Sequence, residues 1–554
     1  MRRSPRFIRT RLLECATTVL VVASLGACHS RSGVRAEKIA ATWHVELTAR
    51  LRAQHAASAP SPGMRTGGSS WVREFYERRS YRPAWLGPNG LLSQTFELIG
   101  CLREAGRDGL YPSDYRVSEI EALTALDFGP WGGRKSAAQL EFMLTNAFLE
   151  FSDHLLRGRL ESRGVNSEWQ VGSVESDLAG VLQTALDRHQ IRKTLDSLRP
   201  RQIAYVQLQE ALVLYEGIAA SGGWGEIPQG LADAAKKQAA VQRRLRFSGD
   251  LPPGGEPGKA SMAAAIGRFQ TRHGLEVSGL MNEKTRAAMS VSASGRADQV
   301  RANLERWRWL PHKLGSRSIV VRIADFEIDL VEDGQVIESM RAVVGRPYRR
   351  TPLFSSYMTH VIFQPTWNIP RRIATEEILP ILRRDDGYLR SREILVLDSR
   401  GQVRHEPIDW GNLGSDEFNY QLVQAPGPFN PLGRVKFTFP NSFEVAIHDT
   451  PQKDLFSERV RDFSHGCIRA ENAEALASFV LRDDPSWNRS RISAALDASK
   501  TKAVLLREPV PVYVLYWTVW VDEVGEVQFR ADLYDIDRQL IEALSEAREN
   551  AVSG

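Results

Sequence analysis

Two short segments contain residue types that together can perform acyl transfer. His448 ends an apolar run that begins at Phe443, and after 15 intervening residues comes Ser464-His465-Gly466-Cys467. A cysteine nucleophile needs a base or a positive neighbour to form a thiolate near neutral pH. A glycine-containing turn lets backbone N–H groups converge on one point, where an oxyanion can be stabilised. The pattern predicts Cys467 as nucleophile and His448 as base.

Other interpretations of these residues are structural or metal-binding. A lone Cys is often a buried hydrophobe, and His448, His465 and Cys467 could be three ligands of a zinc ion. No fourth ligand stands at a familiar spacing, and the order His before Cys excludes papain-like proteases. We therefore favour covalent chemistry with no metal and no organic cofactor.

The elements around this pair are predicted from their periodicity. Apolar residues recur at every second position over Ile319–Ile323 and Phe326–Leu330, and Asp333-Gly334 follows as a hairpin turn. Alternation over Phe443–Ile447 predicts a strand that ends at His448, and a helical run over Glu471–Leu481 would place a helix N-terminus near the thiol. We expect a mainly β catalytic domain over residues 318–507, with a charge-rich helical insertion over Arg371–Pro428.

The chain before this domain is predicted to be helical, and the whole is a multidomain α+β protein. Gln139–Leu156 shows apolar residues at helical spacing, typical of a helical domain over residues 71–235. A smaller unit of three helices follows over 236–292, a connecting helix over 293–317, and a C-terminal extension over 508–554.

The first residues have the pattern of an export signal. Five Arg and one Glu lie in residues 1–27, and an apolar run from Ala16 leads into Leu25-Gly26-Ala27-Cys28. This ending resembles a bacterial lipobox, so we expect a lipoprotein-type signal peptide over 1–28 with Cys28 lipidated. An ordinary cleaved signal is the alternative. Residues 29–70, rich in Ala, Ser, Gly and Arg, are predicted to be a flexible tether.

The charge balance excludes one class of partner. The formal net charge is +5, and removal of the signal takes away +4, which leaves +1. Composition therefore gives no support for nucleic-acid binding. The only long apolar stretch lies near the start, which excludes a polytopic membrane protein. Resemblance to Gram-negative lipoproteins, with His29 rather than Asp after Cys28, favours a periplasmic protein anchored to the outer membrane.

The catalytic segments resemble the L,D-transpeptidase signature, in which a His is followed at a similar distance by Ser/Thr-His-Gly-Cys. Phe363–Pro370, Leu432–Phe437 and Val512–Asp522 are similar to the large subfamily of these enzymes, which has a helical scaffold domain. Residues 236–292 resemble its small peptidoglycan-binding module through Phe269-Gln270 and His273-Gly274-Leu275. Many smaller members have Asn where this chain has Arg469.

The resemblance implies a cell-wall enzyme that acts on peptidoglycan stem peptides. Cys467 would form an acyl-enzyme with release of D-Ala, and an amine of a second stem would resolve it as a 3→3 cross-link. Water as acceptor would make it an L,D-carboxypeptidase, and a non-catalytic wall-binding lipoprotein is the rival interpretation. The implied roles are proton transfer by His448, orientation of its ring by the Asp449 carbonyl, oxyanion or turn support by Ser464, His465 and Gly466, and substrate contact by Arg469, Trp367, Asn368 and Tyr420.

Overall fold

The computed structural model describes Thr42, Arg52, Ala53 and residues 44–50, 68–87, 90–126, 134–162, 176–228, 233–385 and 387–553. The predicted signal peptide and Cys28 lie outside these residues. Within the described ranges, no helix combines the length and the apolar character needed to cross a bilayer.

The N-terminal region is helical and has its own hydrophobic core. Its longest helix packs Leu140, Leu144 and Phe148 into that core, and Cys101 is buried there as predicted. The elements are α1 (Gly68–Arg78), β1 (Leu86–Gly87), β2 (Gly90–Leu91), α2 (Ser93–Arg103), two 3-10 turns (Glu104–Asp108, Pro112–Tyr115), α3 (Val117–Thr124), α4 (Arg134–Arg157), α5 (Leu178–Asp187), α6 (Ile191–Leu198) and α7 (Ile203–Ala220).

Part of the predicted tether belongs to this helical region. Residues 44–50 are helical, and Leu47 is fully buried in the same core. The ring of His44 lies 4.6 Å from that of Tyr81. The prediction of a flexible tether over 29–70 is therefore wrong for residues 44–50, because an apolar side chain there is removed from water.

Three helices form the small unit that follows. They are α8 (Ala234–Phe247), α9 (Lys259–Arg272) and α10 (Glu283–Ser290). Leu245, Phe269 and Met289 form the centre of their core. Asn282 caps α10, since its side-chain oxygen accepts a hydrogen bond from the Thr285 backbone N–H at 2.8 Å.

The predicted connecting helix is α11 (Ala293–Arg308), and it lies inside the molecule. Its apolar residues Val300 and Leu304 share one core with α7 and the β domain. On another side, Arg308 pairs with Glu305 at 2.5 Å and donates to the Asp108 carbonyl at 2.6 Å. The helix therefore joins the N-terminal region to the β domain through both apolar and ionic contacts.

The β domain is built on a closed barrel of eight strands in the order β10-β11-β12-β5-β4-β3-β13-β6. These strands are β3 (Arg317–Arg322), β4 (Glu327–Glu332), β5 (Gln335–Val343), β6 (Phe354–Phe363), β10 (Val435–Thr438), β11 (Ile447–His448), β12 (Ile468–Ala470) and β13 (Lys502–Leu515). Two 3-10 turns (Ile323–Asp325, Lys453–Ser457) and the helices α15 (Ala473–Leu481) and α16 (Arg489–Leu496) complete this part.

The C-terminal part completes the barrel instead of extending from it. Strand β13 pairs with β6 up to Val514 and with β3 from Val512 to Leu515, so the predicted boundary at 507 falls inside a strand. The hairpin β14 (Val519–Val521) and β15 (Val527–Phe529) and the helix α17 (Ile536–Ser553) follow. The C-terminal part belongs to the barrel because β13 pairs with β6 and β3, and local sequence patterns do not show this pairing.

The predicted strand over Phe443–Ile447 is mostly a turn. Glu444 has a φ of +58°, and the Asn441 side chain accepts from the N–H groups of Phe443 and Val445 at 3.1 and 3.0 Å. Only Ile447 and His448 form a strand, β11, although Val445 and Ile447 both lie in the barrel core.

The insertion between β6 and β10 is a small α/β unit with its own core. Ile369, Leu379 and Leu422 are among the buried residues of that core. Its elements are β7 (Trp367–Ile369), α12 (Arg371–Ile373), a π-helical turn (Ala374–Ile378), α13 (Leu379–Leu382), α14 (Tyr388–Ser391), β8 (Ile394–Leu397) and β9 (Gln421–Gln424), with the strands in the order β7-β9-β8. The predicted helical insertion therefore also contains a sheet.

The predicted fold class is confirmed. The N-terminal region is helical, the C-terminal domain is mainly β, and the protein is multidomain α+β.

Candidate active site

Two parallel strands bring His448 and Cys467 to the same face of the barrel. In the register of β11 and β12, Ile447 opposes Ile468, and His448 opposes Arg469. The two isoleucines are fully buried in the barrel core. Because side chains alternate across a strand, His448 and Arg469 face away from that core, and Cys467, two residues before Arg469, faces the same way. His448 and Cys467 are therefore diagonal neighbours.

His448 is buried and held in one orientation. Its Nδ1 lies 2.5 Å from the backbone carbonyl oxygen of Asp449, so Nδ1 carries the proton and Nε2 is left as the acceptor. Burial first, and then the charge of Arg469, lowers the pKa of His448 to about 4. The imidazole is therefore neutral at pH 7 and able to accept a proton.

The Asp449 side chain fixes this segment in turn. Its carboxylate accepts from Lys453 Nζ at 2.7 Å and from the Arg434 backbone N–H at 2.9 Å. Gly433 lies against it with a φ of +61°, and a Cβ on Gly433 would be only 2.5 Å from an Asp449 oxygen. The Leu432-Gly433-Arg434 segment thus needs glycine to let the chain approach the carboxylate.

The Cys467 thiol is half-buried, and burial raises its pKa above the ordinary value. The backbone N–H of Ala446 and the charges of Lys436 and Arg469 oppose this rise. No helix begins at the cysteine, since β12 follows it directly and α15 starts at Ala473. The helix predicted over Glu471–Leu481 thus begins six residues after the cysteine, and the effect of its N-terminus on the thiol stays a prediction. The resting thiol is protonated at neutral pH.

Ser464 and Gly466 shape the turn that carries the cysteine. The Ser464 hydroxyl donates to the Cys467 carbonyl at 2.5 Å and accepts from the Gly466 N–H at 3.1 Å. Gly466 has a φ of +118°, a conformation that favours glycine. Since the Gly466 N–H is engaged, the N–H groups of His465 and Cys467 remain as candidate oxyanion donors of this turn.

The loop over residues 344–353 supports the turn from the other side. Thr351 Oγ1 donates to the Gly466 carbonyl at 2.9 Å, and the same oxygen accepts from the Gly345 N–H at 2.9 Å. Tyr534, from the predicted C-terminal extension, donates to the Gly345 carbonyl at 2.6 Å and accepts from the Thr351 N–H at 3.2 Å. Thr351 and Tyr534 were not predicted as site residues, because neither lies near the Ser464–Cys467 motif in sequence.

His465 contacts the insertion instead of the thiol. Its Nε2 lies 2.6 Å from Glu377 Oε1 in the π-helical turn. Burial lowers the pKa of His465 below its ordinary value, so the neutral ring donates its Nε2 proton to the carboxylate. Glu377 was not identified from the sequence.

Two positive side chains and one carboxylate act electrostatically on the cysteine, namely Lys436, Arg469 and Glu444. Lys436 on β10 lies directly opposite His448, and its charge acts on both Cys467 and His448. Arg469 donates to the Gln452 side chain at 2.7 Å, while its buried Nε has no partner within the described residues. Alternation in β10 could have identified Lys436, since its neighbours Val435 and Phe437 face the core. The site is suited to an anionic substrate.

The other predicted substrate contacts lie in the insertion. Trp367 and Asn368 are on β7, where Trp367 is half-buried against the insertion core and Asn368 is exposed. Tyr420 packs on Trp410 and Phe418, each at 5.8 Å between ring centroids. None of the contacts described for Tyr420 joins it to the cysteine turn, and its role stays a prediction.

No group of three or more His, Cys, Asp or Glu is placed to hold a metal ion in the described part of the chain.

Three stretches of the chain match known families. Residues 70–212 match a scaffold domain, residues 238–289 a peptidoglycan binding domain, and residues 316–504 the L,D-transpeptidase catalytic domain. The last match contains His448 on β11 and Cys467, which directly precedes β12. Residues 316–504 form an L,D-transpeptidase catalytic domain.

A curated relative supports the assignment of this transpeptidase domain. A Haemophilus influenzae protein named "Putative L,D-transpeptidase" is 34% identical over 239 residues, which is 43% of this chain and 48% of the relative. The chain thus spans about half the length of the curated relative that it matches.

Solved L,D-transpeptidases are more distant. One from Mycobacterium smegmatis is 17% identical, covering 36% of this chain and 58% of its own, with a TM-score of 0.18. L,D-transpeptidase 1 of Mycobacterium tuberculosis is 17% identical (36% and 61%, TM-score 0.15), and that of Enterococcus faecium is 11% identical (41% and 65%, TM-score 0.18). Likeness at this level says nothing of substrate or mechanism.

Proposed function

We propose that the transpeptidase domain forms 3→3 peptidoglycan cross-links through an acyl-enzyme on Cys467. The observation that carries the proposal is the diagonal placement of Cys467 beside a neutral His448 whose Nδ1 is bound to the Asp449 carbonyl. That arrangement leaves Nε2 free to accept the thiol proton.

The reaction follows from the protonation states. As the Cys467 sulfur attacks the carbonyl between the third stem residue and the terminal D-Ala, His448 Nε2 takes the thiol proton. The N–H groups of His465 and Cys467 stabilise the oxyanion. His448 then returns the proton to the departing amine, so that D-Ala leaves and a thioester remains.

A second stem peptide resolves the thioester. In a Gram-negative organism its acceptor is the side-chain amine of meso-diaminopimelate, which attacks the thioester carbonyl. The C–S bond breaks as the new amide forms, and the proton of the amine passes through His448 to the Cys467 sulfur. Arg469 and Lys436 lie where they can attract stem-peptide carboxylates, and their charge supports an anionic substrate. Trp367, Asn368 and Tyr420 remain proposed substrate contacts on the insertion.

The test uses purified protein without residues 1–28 and a disaccharide-tetrapeptide. We expect D-Ala release and a cross-linked dimer by mass spectrometry, both abolished in Cys467→Ala. The matched control is Cys101→Ala, which removes the other described cysteine and should keep turnover. D-Ala release without a dimer would identify an L,D-carboxypeptidase, and neither product from the wild type would overturn the proposed enzyme activity.

Wall binding is proposed for the module that matches a peptidoglycan binding domain. Sedimentation with insoluble cell wall that persists in Cys467→Ala would separate binding from chemistry. Loss of sedimentation only on deletion of residues 236–292 would assign it to the module.

We also propose that the protein is periplasmic and held to the outer membrane by lipidated Cys28. The support is the sequence pattern over residues 1–28. Palmitate labelling that is lost in Cys28→Ala is the expected result, and equal labelling of both proteins would contradict it.

A further inference from the structure

The insertion contacts the cysteine turn through a hydrogen bond between His465 and Glu377. The turn, Ser464–Cys467, presents His465 outward, and its Nε2 meets Glu377 Oε1 of the insertion at 2.6 Å. The insertion has a core of its own, so the position of Glu377 is set by a unit that folds around different residues from the barrel.

A largely buried arginine holds Glu377 in place. Arg349 Nη1 lies 3.1 Å from Glu377 Oε1, and Arg349 also pairs with Glu376. The Arg349 side chain is only 13% exposed, against 42% for Glu377. Arg349 lies in the loop over 344–353, the same loop that supports the turn through Thr351 and Gly466. The cysteine turn, the insertion and the loop over 344–353 therefore meet at Glu377.

The backbone at Glu377 is unusual. Ala374–Ile378 form a π-helical turn, a conformation found frequently at functional sites. Ala374 and Ile378 are buried in the insertion core, so the turn is anchored on both sides of the carboxylate. The wide turn directs Glu377 towards His465 while Glu376 remains with Arg349 and Arg372.

The pair is too exposed to stabilise the fold by much. Ion pairs with a half-exposed partner, such as Glu377 with Arg349, contribute roughly 0–1 kcal/mol to stability, and the Glu377 bond to the neutral His465 is equally exposed on the Glu377 side. Removal of one oxyanion donor, by contrast, lowers kcat by about 100- to 1000-fold. The His465 side chain and its backbone N–H belong to one residue, so holding the ring also limits rotation of the peptide that stabilises the oxyanion.

We propose that Glu377, held by Arg349, is a positioning residue that fixes His465 and so presents the oxyanion donors only while the insertion is seated on the cysteine turn. This inference rests on the proposed function of Cys467. It makes the insertion part of the catalytic geometry without any direct contact between Glu377 and the thiol.

The test compares Glu377→Gln with Glu376→Gln, its neighbour in the same turn, which also faces Arg349 but not His465. We expect Glu377→Gln to lower kcat for D-Ala release about tenfold or more, with KM within about twofold and an unchanged melting temperature. Glu376→Gln should stay within about twofold of the wild type. Glu377→Asp, which keeps the charge at shorter reach, should fall between the two.

Equal kcat values for Glu377→Gln and Glu376→Gln would overturn the positioning role. A second measurement does not depend on turnover: amide hydrogen exchange over residues 464–468 should be several-fold faster in Glu377→Gln than in Glu376→Gln. If the wild type released no D-Ala, the proposed function would fail, and the exchange comparison would still decide whether Glu377 holds the turn.

Discussion

At the residue scale, burial decides the protonation state of the proposed catalytic pair, His448 and Cys467. The pattern of His448 and Cys467 suggests a preformed thiolate, but burial lowers the pKa of the imidazole to about 4 and raises that of the thiol. Both residues are therefore neutral at rest. We expect proton transfer to accompany attack on the substrate. The charges of Lys436 and Arg469 lower the pKa of the Cys467 thiol, but burial raises it by more.

We expect Cys467 to be alkylated slowly by iodoacetamide at pH 7 and faster as pH rises, with a midpoint above about 8.5, the ordinary thiol value. The physical reason is desolvation of the thiolate. Intact-mass kinetics at several pH values would measure it, with Cys467→Ala as the background control. Cys101, whose pKa burial raises to about 11, should not react in the folded protein. Fast, pH-independent alkylation below pH 7 would indicate a preformed thiolate.

His448 should make folding stability depend on pH. Its folded pKa of about 4 lies below the unfolded value of about 6.5, so the unfolded chain binds the proton more readily between these values. Stability is complete above pH 6.5 and lost as pH falls towards 4. Relative to His448→Gln, the wild type should lose on the order of 2–3 kcal/mol between pH 7 and 4.5 by urea denaturation. Parallel pH curves for the two proteins would contradict the buried neutral imidazole.

At the element scale, segments distant in sequence support the cysteine turn. Tyr534 bonds to Gly345, 189 residues away, and Thr351 bonds to Gly466, 115 residues away. These contacts form because β13 closes the barrel and returns the C-terminal chain to the loop over 344–353. The C-terminal segment is therefore part of the site's support.

Tyr534→Phe should loosen the turn. It leaves the buried Gly345 carbonyl without its hydroxyl donor, which costs about 1–3 kcal/mol. We expect a lower melting temperature and slower D-Ala release. Tyr513→Phe is the control, since its hydroxyl makes only a 3.4 Å contact to Leu314. If Tyr534→Phe changed the melting temperature without changing turnover, the hydroxyl would have a stability role only.

At the scale of the whole molecule, buried arginines connect parts of the chain that are far apart in sequence. Arg272 pairs with Asp250 inside the three-helix module at 2.6 Å and donates to the Val527 carbonyl of β15 at 2.8 Å. Arg306 of α11 pairs with Asp537 of α17 at 2.6 Å. These junctions predict that the module and the barrel unfold together.

Arg272→Ala should uncouple the unfolding of the three-helix module from that of the barrel. Removing one partner of a buried pair leaves Asp250 without compensation, at a cost of about 3–5 kcal/mol. We expect a second, earlier transition in urea denaturation that belongs to the module. Arg538→Ala breaks exposed pairs with Asp535 and Glu542 and should leave the unfolding curve unchanged. A single transition in Arg272→Ala at the wild-type midpoint would show that this pair does not couple the domains.

The helices and several strands were predictable because their periodicity is local. The helix predicted over Gln139–Leu156 is α4, and the hairpin at Asp333-Gly334 joins β4 and β5. The turn that replaces the predicted strand over Phe443–Ile447 was not predictable from the alternation, since it is formed by the Asn441 side chain. The sheet of the insertion was not predicted either. Its strands are short, lie in a charge-rich segment and pair only with one another.

Residue types at short spacing were enough to predict the nucleophile, its histidine and the order of the domains. Tertiary structure alone decided that the pair is neutral, that Glu377 meets His465, and that Tyr534 supports the turn. Each of those facts depends on burial or on contacts between segments far apart in the chain. Such contacts arise only when the barrel closes, and no local pattern encodes them.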